Sequence, residues 1–324
     1  MQSRIPVPCG RSEPKHAMGY HALDSLLAFP ANIPPARAHI VITDTLSADG
    51  NFLLHHFLSN HLKAGPGTGN VVLVGIAHIF NHYSIVGRKL GVNLQQSKQS
   101  HRLAFIDALT HLNRAPSAPP SPPSLPSTPS APTTVLTRSA TLRPLHDAVS
   151  AALVGDRSLL ILDDISVLLW SGYGVAEAVG LIRALRVLVQ KRNGTLITLL
   201  HADEQLASDP VQDAFVRSVL GMAELVLSVQ GLGSGFSRDV HGQVNLQRLR
   251  IYDCGSADAH SHVMCFSLTP PHSVLQLSII HGAQSTIHVP SSTAPALPTP
   301  QTLHYKILDN TVQFFARGVS EGVL

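Results

Sequence analysis

Residues 39–52 read HIVITDTLSADGNF, and this stretch decides how the rest of the chain is interpreted. Residues 39–43 form an apolar run that is typical of a buried β-strand. The chain then passes through Gly50 into a helical pattern that starts near Phe52. A strand, a tight turn with glycine and a helix together make the geometry of a phosphate-binding P-loop.

The residues that carry the chemistry of a P-loop are missing from this stretch. Of the pattern G-x-x-x-x-G-K-[ST], only the second glycine is present, as Gly50. Thr45 stands at the first glycine, Asn51 at the lysine and Phe52 at the hydroxyl residue. Because the lysine and the hydroxyl hold the phosphates and Mg²⁺, the stretch resembles a RecA-type ATPase scaffold that does not hydrolyse ATP. We therefore expect no cofactor and no metal.

A second element of an ATPase is also incomplete. Asp163 ends an apolar strand, as the Walker B carboxylate that holds Mg²⁺ does. The strand at residues 71–74 is followed by Gly-Ile-Ala-His at residues 75–78, so no carboxylate follows there to activate water. We expect Asp163 and Asp164 to cap the next turn or to face a partner subunit.

Strands and helices alternate along most of the chain. Apolar runs typical of buried strands follow at residues 71–74, 159–162, 195–200 and 225–229. Such strands, separated by helices, favour a parallel sheet with helices on both faces. Residues 304–308 and 312–316 flank Asp-Asn, which predicts a hairpin. The predicted fold class is α/β and RecA-like, with a mostly parallel central sheet and an antiparallel C-terminal edge hairpin.

Two stretches of low complexity interrupt this pattern. Residues 115–134 contain eight prolines, and residues 255–301 are rich in His, Ser and Pro. Neither composition can bury a core, and only two strands are predicted before the first stretch. We therefore interpret both as disordered insertions in a single RecA-like domain of residues 36–324, rather than as boundaries between domains. Residues 1–35 are predicted to form an N-terminal tail.

The bulk composition is that of a globular protein. The chain has 324 residues, of which 44% are hydrophobic and 13% charged, and its formal net charge is +3. This small positive charge permits contact with nucleic acid without requiring it. Three dispersed cysteines do not make a disulfide framework, and no apolar run reaches the ~18 residues of a membrane helix. We expect a cytoplasmic protein, which also enters the nucleus, with no membrane partner.

Several segments of the chain resemble one protein family. They are DGNFLLHHFL at residues 49–58, HYSIVGRKLGV at 82–92, LDDISVLL at 162–169, GLGSGFSRDVHGQ at 231–243, and a tail with YKI at 305–307 and FFARG at 314–318. They occur in the family's order and extend from about residue 40 to the end of the chain. The sequence resembles the family of the sixth subunit of the Elongator complex, in the RecA/KaiC-like ATPase group.

The resemblance implies a RecA-like fold without working Walker motifs and without catalytic residues. It also implies that the chain assembles with the fourth and fifth Elongator subunits into a hetero-hexameric ring, which serves the catalytic Elongator subcomplex. Such a ring binds tRNA and supports modification of the wobble uridine in tRNA anticodons. The two insertions and the first twenty or so residues depart from the family pattern.

The segment that matches best, residues 231–243, supplies the candidate contact residues. We expect it at the subunit boundary opposite the degenerate pocket or on the face of the ring that binds nucleic acid. The candidates for contact with a neighbouring subunit or with tRNA are Phe236, Arg238, Asp239 and His241.

Two other groups have the composition of a chemical site but the wrong arrangement. One is the possible hydrolase triad Ser237, Asp239 and His241. Triads are assembled from distant segments, so neighbours on one loop are not expected to form one. The other group has zinc-ligand chemistry and comprises Cys254, His260, His262 and Cys265. Its spacing matches no zinc finger.

A basic group lies on or after one predicted helix and consists of Arg183, Arg186, Lys191 and Arg192. A solvated face is the favoured interpretation of this group, and contact with tRNA is the alternative. A ring that binds tRNA gathers such charges from several subunits, so one subunit need not be strongly basic.

Two further functions stay open at the level of the sequence. The chain is an active RecA/KaiC-type ATPase if its unusual loop still binds nucleotide, although Asn51 and Phe52 argue against this. It is a RecA-like scaffold of another assembly if its partners are not Elongator subunits.

Overall fold

The computed structural model describes residues 20–65, 67–109, 134–135, 141–203, 209–232, 237, 240–248, 301–308 and 311–316. Most of the two predicted insertions lies outside these residues, as do the zinc-ligand group, the hairpin turn at residues 309–310 and the end of the chain. The last residue of each insertion, Thr134 and Gln301, is the first residue of a strand.

The described residues build one sheet and helices on both of its faces. The strands are β1 (His39–Asp44), β2 (Val71–Gly75), β3 (Leu103–Asp107), β4 (Thr134–Val135), β5 (Leu159–Asp163), β6 (Thr195–His201), β7 (Leu225–Gln230), β8 (Gly242–Arg248), β9 (Gln301–Ile307) and β10 (Val312–Ala316). The helices are α1 (His21–Leu27), α2 (Asn51–Lys63), α3 (Phe80–Lys89), α4 (Leu94–Gln99), α5 (Arg143–Ala152), α6 (Ser166–Trp170), α7 (Val175–Gln190) and α8 (Pro210–Leu220), with a 3₁₀ turn at Pro30–Asn32.

The order of the strands is β10-β9-β8-β7-β1-β6-β5-β2-β3-β4. The strands from β7 to β4 in this order are parallel, and β7 to β10 pair antiparallel. Every residue of β1, β2 and β5 is buried, as expected for central strands covered on both faces. The predicted α/β fold class, with a mostly parallel sheet and an antiparallel C-terminal hairpin, is confirmed.

Two hydrophobic cores lie on the two faces of the sheet. Successive residues of a strand point to opposite faces. Ile40 and Ile42 therefore join the core beneath α1 to α4, whereas Val41 joins the core beneath α5 to α8. This arrangement leaves the carboxyl ends of β1, β5 and β6 side by side at one edge of the sheet.

Two predictions about the N-terminal half are wrong. Residues 20–35 do not belong to a tail, because Leu23 and Leu27 of α1 are fully buried in the first core and Tyr20 packs on Phe52. The chain before the proline-rich stretch also holds three strands rather than two, since β3 pairs in parallel with β2. Residues 20–35 therefore belong to the structured domain.

No helix among the described residues is both long and apolar enough to cross a membrane. The longest of them, α7, has 16 residues, whereas a bilayer requires about 20.

Replacing Leu23 with Ala tests whether α1 is part of the core. Leu23 is fully buried, so the change should lower the free energy of unfolding by about 2–5 kcal/mol. The exposed His21 on the same helix provides the control, and His21→Ala should change it by no more than ~0.5 kcal/mol. Urea denaturation measures both. Equal, small effects would mean that the helix is not docked in solution.

Candidate functional site at the carboxyl edge of the sheet

The loop between β1 and α2, residues 45–50, lies where the carboxyl ends of parallel strands meet. This edge is the usual ligand-binding edge of an open α/β sheet. Gly50 precedes α2, and a Cβ atom added there would lie 3.1 Å from side-chain atoms of both Asp44 and Ile42. The loop therefore packs closely against β1 at Gly50, where any larger residue would displace the Asp44 and Ile42 side chains.

Two carboxylates of this chain accept hydrogen bonds from backbone N–H groups at the two ends of the loop. The buried Asp44 side chain accepts a hydrogen bond from the Gly50 N–H at 2.9 Å. Both oxygens of Asp203 accept from the Leu46 N–H at 3.0 Å. In a nucleotide-binding P-loop such N–H groups cradle phosphates. Here they are satisfied by protein carboxylates, whose negative charge repels a polyphosphate.

Other polar groups of the loop bond within it. The Asn51 N–H donates to the Asp49 carboxylate at 2.8 Å. Thr45 and Ala48 exchange two backbone hydrogen bonds, of 3.3 and 3.0 Å, and the Thr45 hydroxyl contacts that of Ser47 at 3.0 Å. Thr45, at the position of the first P-loop glycine, thus closes a short turn within the loop.

Phe52, at the position of the Mg²⁺-binding hydroxyl, is a core residue with 5% of its surface exposed. Its ring packs edge-on against Tyr20, with 6.3 Å between the ring centroids. It also packs at a tilt against Tyr305, with 5.1 Å between the centroids. Phe52 therefore joins α2 to the N-terminal helix and to the C-terminal strands of the same subunit. Hydrophobic packing thus takes the place of the Mg²⁺-binding hydroxyl at this position.

Asp163 is fully buried and holds the loop that follows β2. Its Oδ2 atom accepts hydrogen bonds from the N–H groups of Ala77 and His78 at 3.3 and 3.0 Å, and contacts His78 Nδ1 at 3.1 Å. Asp163 therefore caps the turn that follows β2 rather than the next turn of the chain, and it is buried within the subunit. Asp164 does cap the next turn, accepting from the Ser166 N–H at 3.1 Å.

Imidazole and phenol rings fill the space beside Asp163. His78 stacks on His82 with 4.3 Å between centroids, and His55 and Tyr83 lie within 5.6 Å of His82. The hydrogen bond to Asp163 raises the pKa of His78, whereas burial lowers the pKa of His55 to about 3. In the described part of the chain, no group of three or more His, Cys, Asp or Glu residues could hold a metal ion.

The half-buried His201 links the ends of the three neighbouring strands β1, β6 and β5. His201 forms a very short contact to Asp44 through Nδ1 and a 3.0 Å contact to Asp164 through Nε2. Hydrogen bonds to Asp164 and Asp44 raise the pKa of His201 to about 10. The Trp170 ring stacks on this imidazolium at 5.5 Å and is 56% exposed.

Three of the predicted contact residues, Phe236, Arg238 and Asp239, lie outside the described residues. His241 is described and exposed. Its backbone N–H donates to the Tyr305 carbonyl at 2.8 Å, and its Nδ1 accepts from the Ile307 N–H at 3.1 Å. His241 thus anchors the start of β8 to β9.

The two ends of the glycine-rich segment lie at the same edge as the degenerate loop. A Cβ atom added at Gly231 would approach Ser47 Oγ to 2.8 Å, and His241 directly precedes β8, whose residue Gln243 pairs with Gln230 at the end of β7. These positions do not favour a boundary opposite the pocket. That the segment contacts a neighbouring subunit or tRNA stays a prediction.

The sequence also gave a signal for the residues that were missed. Asp44 and His201 end apolar strands, as Asp163 does, and Asp203 lies two residues after His201. In a parallel sheet such positions gather at one edge. The positions of these residues at the ends of strands thus predict that their side chains lie near one another, although not which side chains form pairs.

A sequence profile described as Elongation complex protein 6 matches residues 20–268. The chain belongs to this family. Relatives called Elongator complex protein 6 are 31% identical in Xenopus laevis and 30% in Homo sapiens. The alignments cover 93% and 90% of this chain, and 98% and 97% of the relatives.

Solved structures show the fold of this Elongation complex protein 6 family member. An uncharacterized Pyrococcus horikoshii protein, crystallised with an unknown peptide, matches with a TM-score of 0.54 at 13% identity, over 92% of this chain and 98% of its own. A KaiC-like protein of the same organism matches with a TM-score of 0.50 at 9% identity, over 94% and 98%. At these identities the likeness concerns the fold alone, which is RecA/KaiC-like.

Restoring the P-loop lysine should not restore nucleotide binding. Asn51→Lys adds one cation, but the carboxylates of Asp44 and Asp203 still occupy the loop amides and Phe52 still replaces the hydroxyl. We expect neither the parent nor the variant to bind or hydrolyse Mg-ATP, as measured by calorimetry and phosphate release. The variant Asn51→Gln serves as the uncharged control. ATP turnover by the lysine variant would show that the loop can open to phosphates.

The pKa of His201, raised to about 10, makes stability depend on pH. An unfolded histidine has a pKa of about 6.5, so the stabilisation is complete below that pH and is lost as pH rises through about 10. The free energy of unfolding of His201→Gln should therefore differ most from the parent at about pH 6, just below the pKa of the unfolded histidine, by a few kcal/mol at about 1.4 per pKa unit. Urea denaturation at a series of pH values measures this difference. His21→Gln, at an exposed position, is the control, and a difference that does not shrink above pH ~9 would contradict the ion-pair assignment.

Proposed function

We propose that this chain is a non-catalytic RecA-fold subunit of the Elongator complex. It forms a hetero-hexameric ring with the fourth and fifth subunits, which binds tRNA and supports wobble-uridine modification by the catalytic subcomplex. The observation that carries the non-catalytic role is the degenerate loop, whose amides are occupied by Asp44 and Asp203 of the chain itself. Membership of the Elongation complex protein 6 family supports the assembly. The site of action is the cytoplasm, and the nucleus as well.

The loss of catalysis is consistent across the site. The lysine position carries the neutral Asn51, the hydroxyl position carries the buried Phe52, and Oδ2 of Asp163 accepts hydrogen bonds from two backbone N–H groups. In RecA-type ATPases these positions hold phosphate and Mg²⁺ together. Three separate changes would have to be reversed at once for the edge to bind Mg-ATP.

The exposed apolar side chains at this edge support contact with a neighbouring subunit. Four of the large exposed hydrophobic residues follow the carboxyl ends of parallel strands, namely Leu46, Ile79, Trp170 and Val211. Leu46 is 75% exposed at the tip of the loop. Head-to-tail rings join two different faces of successive subunits, and exposed tryptophan is enriched among residues that dominate binding energy. Trp170 is the proposed centre of the contact.

Co-expression of the tagged chain with its relatives from the same organism tests the proposed function. The fourth and fifth subunits should co-purify in one particle with two copies of each chain, and the catalytic subunits should follow from a cell extract. Deleting the gene should lower wobble-uridine modification, as measured by mass spectrometry of tRNA nucleosides. Recovery of a different assembly, with unchanged tRNA, would favour the scaffold alternative instead.

Trp170→Ala should weaken assembly at least tenfold without unfolding the subunit. The side chain lies on the surface over His201, and truncation of a central interface tryptophan costs ~2 kcal/mol or more. Titration of the chain against the purified fourth and fifth subunits gives the affinity. Val187→Ala, at an exposed position on α7, is the control. Equal affinity of both variants would place the contact elsewhere.

A further inference from the structure

The edge of the sheet opposite the degenerate loop carries a row of arginines. Arg37 precedes β1 by two residues, Arg157 precedes β5 by two and Arg192 precedes β6 by three. The strands β1, β6 and β5 are adjacent and parallel. Because neighbouring strands lie about 4.8 Å apart, the three loops fall within about 10 Å, which is close to the ~8 Å screening length of charges at physiological salt.

Hydrogen bonds between the loops make these residues one surface. The Arg37 N–H donates to the Gly194 carbonyl at 2.6 Å, and the Arg157 N–H donates to the Arg192 carbonyl at 2.8 Å. The Gln190 side chain donates to the Arg37 carbonyl at 3.3 Å. The backbone that presents the cations is therefore fixed. We call this surface, formed by Arg37, Arg157, Lys191 and Arg192, the amino-edge patch.

The cations of the amino-edge patch have no acidic partner among the residues that the structure describes. Arg37, Arg157 and Lys191 are exposed, Arg192 is half-buried, and none of them forms an ion pair with a described residue. The nearby carboxylate of Asp156 accepts a hydrogen bond from Asn193 Nδ2 at 2.9 Å. If these arginines served only to keep the surface soluble, there would be no reason for three neighbouring loops to bring them together without acidic partners.

Two of the arginines are held in a conformation that disfavours them. Arg37 has φ of 64° and Arg157 has φ of 56°, both in the left-handed region, where glycine or asparagine is accommodated at lower cost. Asn193, in the same surface, has φ of 46° and is such a residue. Retaining arginine at the other two positions lowers stability, and strain of this kind accompanies functional sites.

The charges of the two edges decide which partner fits. The carboxyl edge holds five aspartates against the two histidines His78 and His201 that pair with them, so its net charge is negative and disfavours a polyanion; the aspartates are Asp44, Asp49, Asp163, Asp164 and Asp203. At the amino edge, guanidinium groups match the geometry of phosphate, and the Gln190 and Asn193 side chains are of types that contact nucleic-acid backbones. Among described residues, the exposed tryptophan expected of a protein interface lies at the other edge.

We propose that the amino-edge patch binds the phosphate backbone of RNA, with Arg37, Arg157 and Arg192 each contacting a phosphate. This inference rests on the proposed function, since tRNA is the RNA that the ring would present. It assigns the RNA contact of this subunit to the edge remote from the degenerate loop. The contacts carry no base specificity, because they reach the backbone alone.

Replacing the three arginines with glutamine tests the proposal in the complex with the fourth and fifth subunits. The triple variant Arg37→Gln, Arg157→Gln, Arg192→Gln should bind tRNA at least tenfold more weakly at physiological salt. The slope of log K against log salt should fall by about 2–3, since each lost phosphate contact removes ~0.7–0.9. Triple replacement by lysine should restore most of the affinity and the slope. Melting temperatures verify that the variants fold.

The matched control removes the same charge from the outer helices. Arg88, Arg143 and Arg217 lie on α3, α5 and α8, and their replacement with glutamine should leave tRNA affinity within about threefold of the parent. Equal losses in both triple variants would overturn the proposal, because net charge alone would then explain them. Unchanged tRNA binding together with loss of a protein partner would overturn it in favour of an acidic protein.

The parent complex separates this inference from the proposed function. If the parent assembles and binds tRNA while the amino-edge variant binds equally well, the inference alone is wrong. If the parent assembles but does not bind tRNA, both fail. The same titration of the isolated full-length chain, parent against variant, decides the matter if no ring forms.

Discussion

The charge on Asp44 is the constraint on which the carboxyl edge depends. A carboxylate with 2% of its surface exposed must be compensated, since burying an unpaired charge costs several kcal/mol. Compensation comes from the Gly50 N–H and from His201, which also pairs with Asp164. In an ATPase the same edge sets a lysine and Mg²⁺ against phosphate. Here an internal cation is set against internal carboxylates, and the ends of three strands are joined without a ligand.

This arrangement separates the two edges of the sheet chemically. The acidic edge carries exposed apolar groups such as Trp170 and Leu46, which suit a protein surface. The edge with Arg37 and Arg157 is basic and polar, which suits a polyanion. The formal net charge of the whole chain is only +3, so it does not reveal this separation. Acidic and basic residues offset each other in the net charge, although they lie at different edges and would act on different partners.

The fold could be predicted from the sequence wherever the hydrophobic pattern of a single strand or helix shows that the element is buried. The apolar run at residues 39–43 and the helical pattern that starts near Phe52 correspond within one residue to the strand His39–Asp44 and to the start of the helix Asn51–Lys63. Helix α1 was missed because it is only seven residues long, although Leu23, Leu26 and Leu27 have helical spacing. The site was less predictable, because Asp44 and His201 are 157 positions apart in sequence. Their pairing follows from strand order, which propensity and period do not encode.

The chain contains a single tryptophan, and Trp170 stacks on a histidine that two carboxylates keep charged. Its indole emission therefore arises from one place, at the edge where a neighbour would dock. Coverage of the indole by another subunit, or deprotonation of the imidazole beneath it, alters the surroundings of this one chromophore. The subunit thus carries an intrinsic optical probe of its own assembly, and no label has to be attached to observe it.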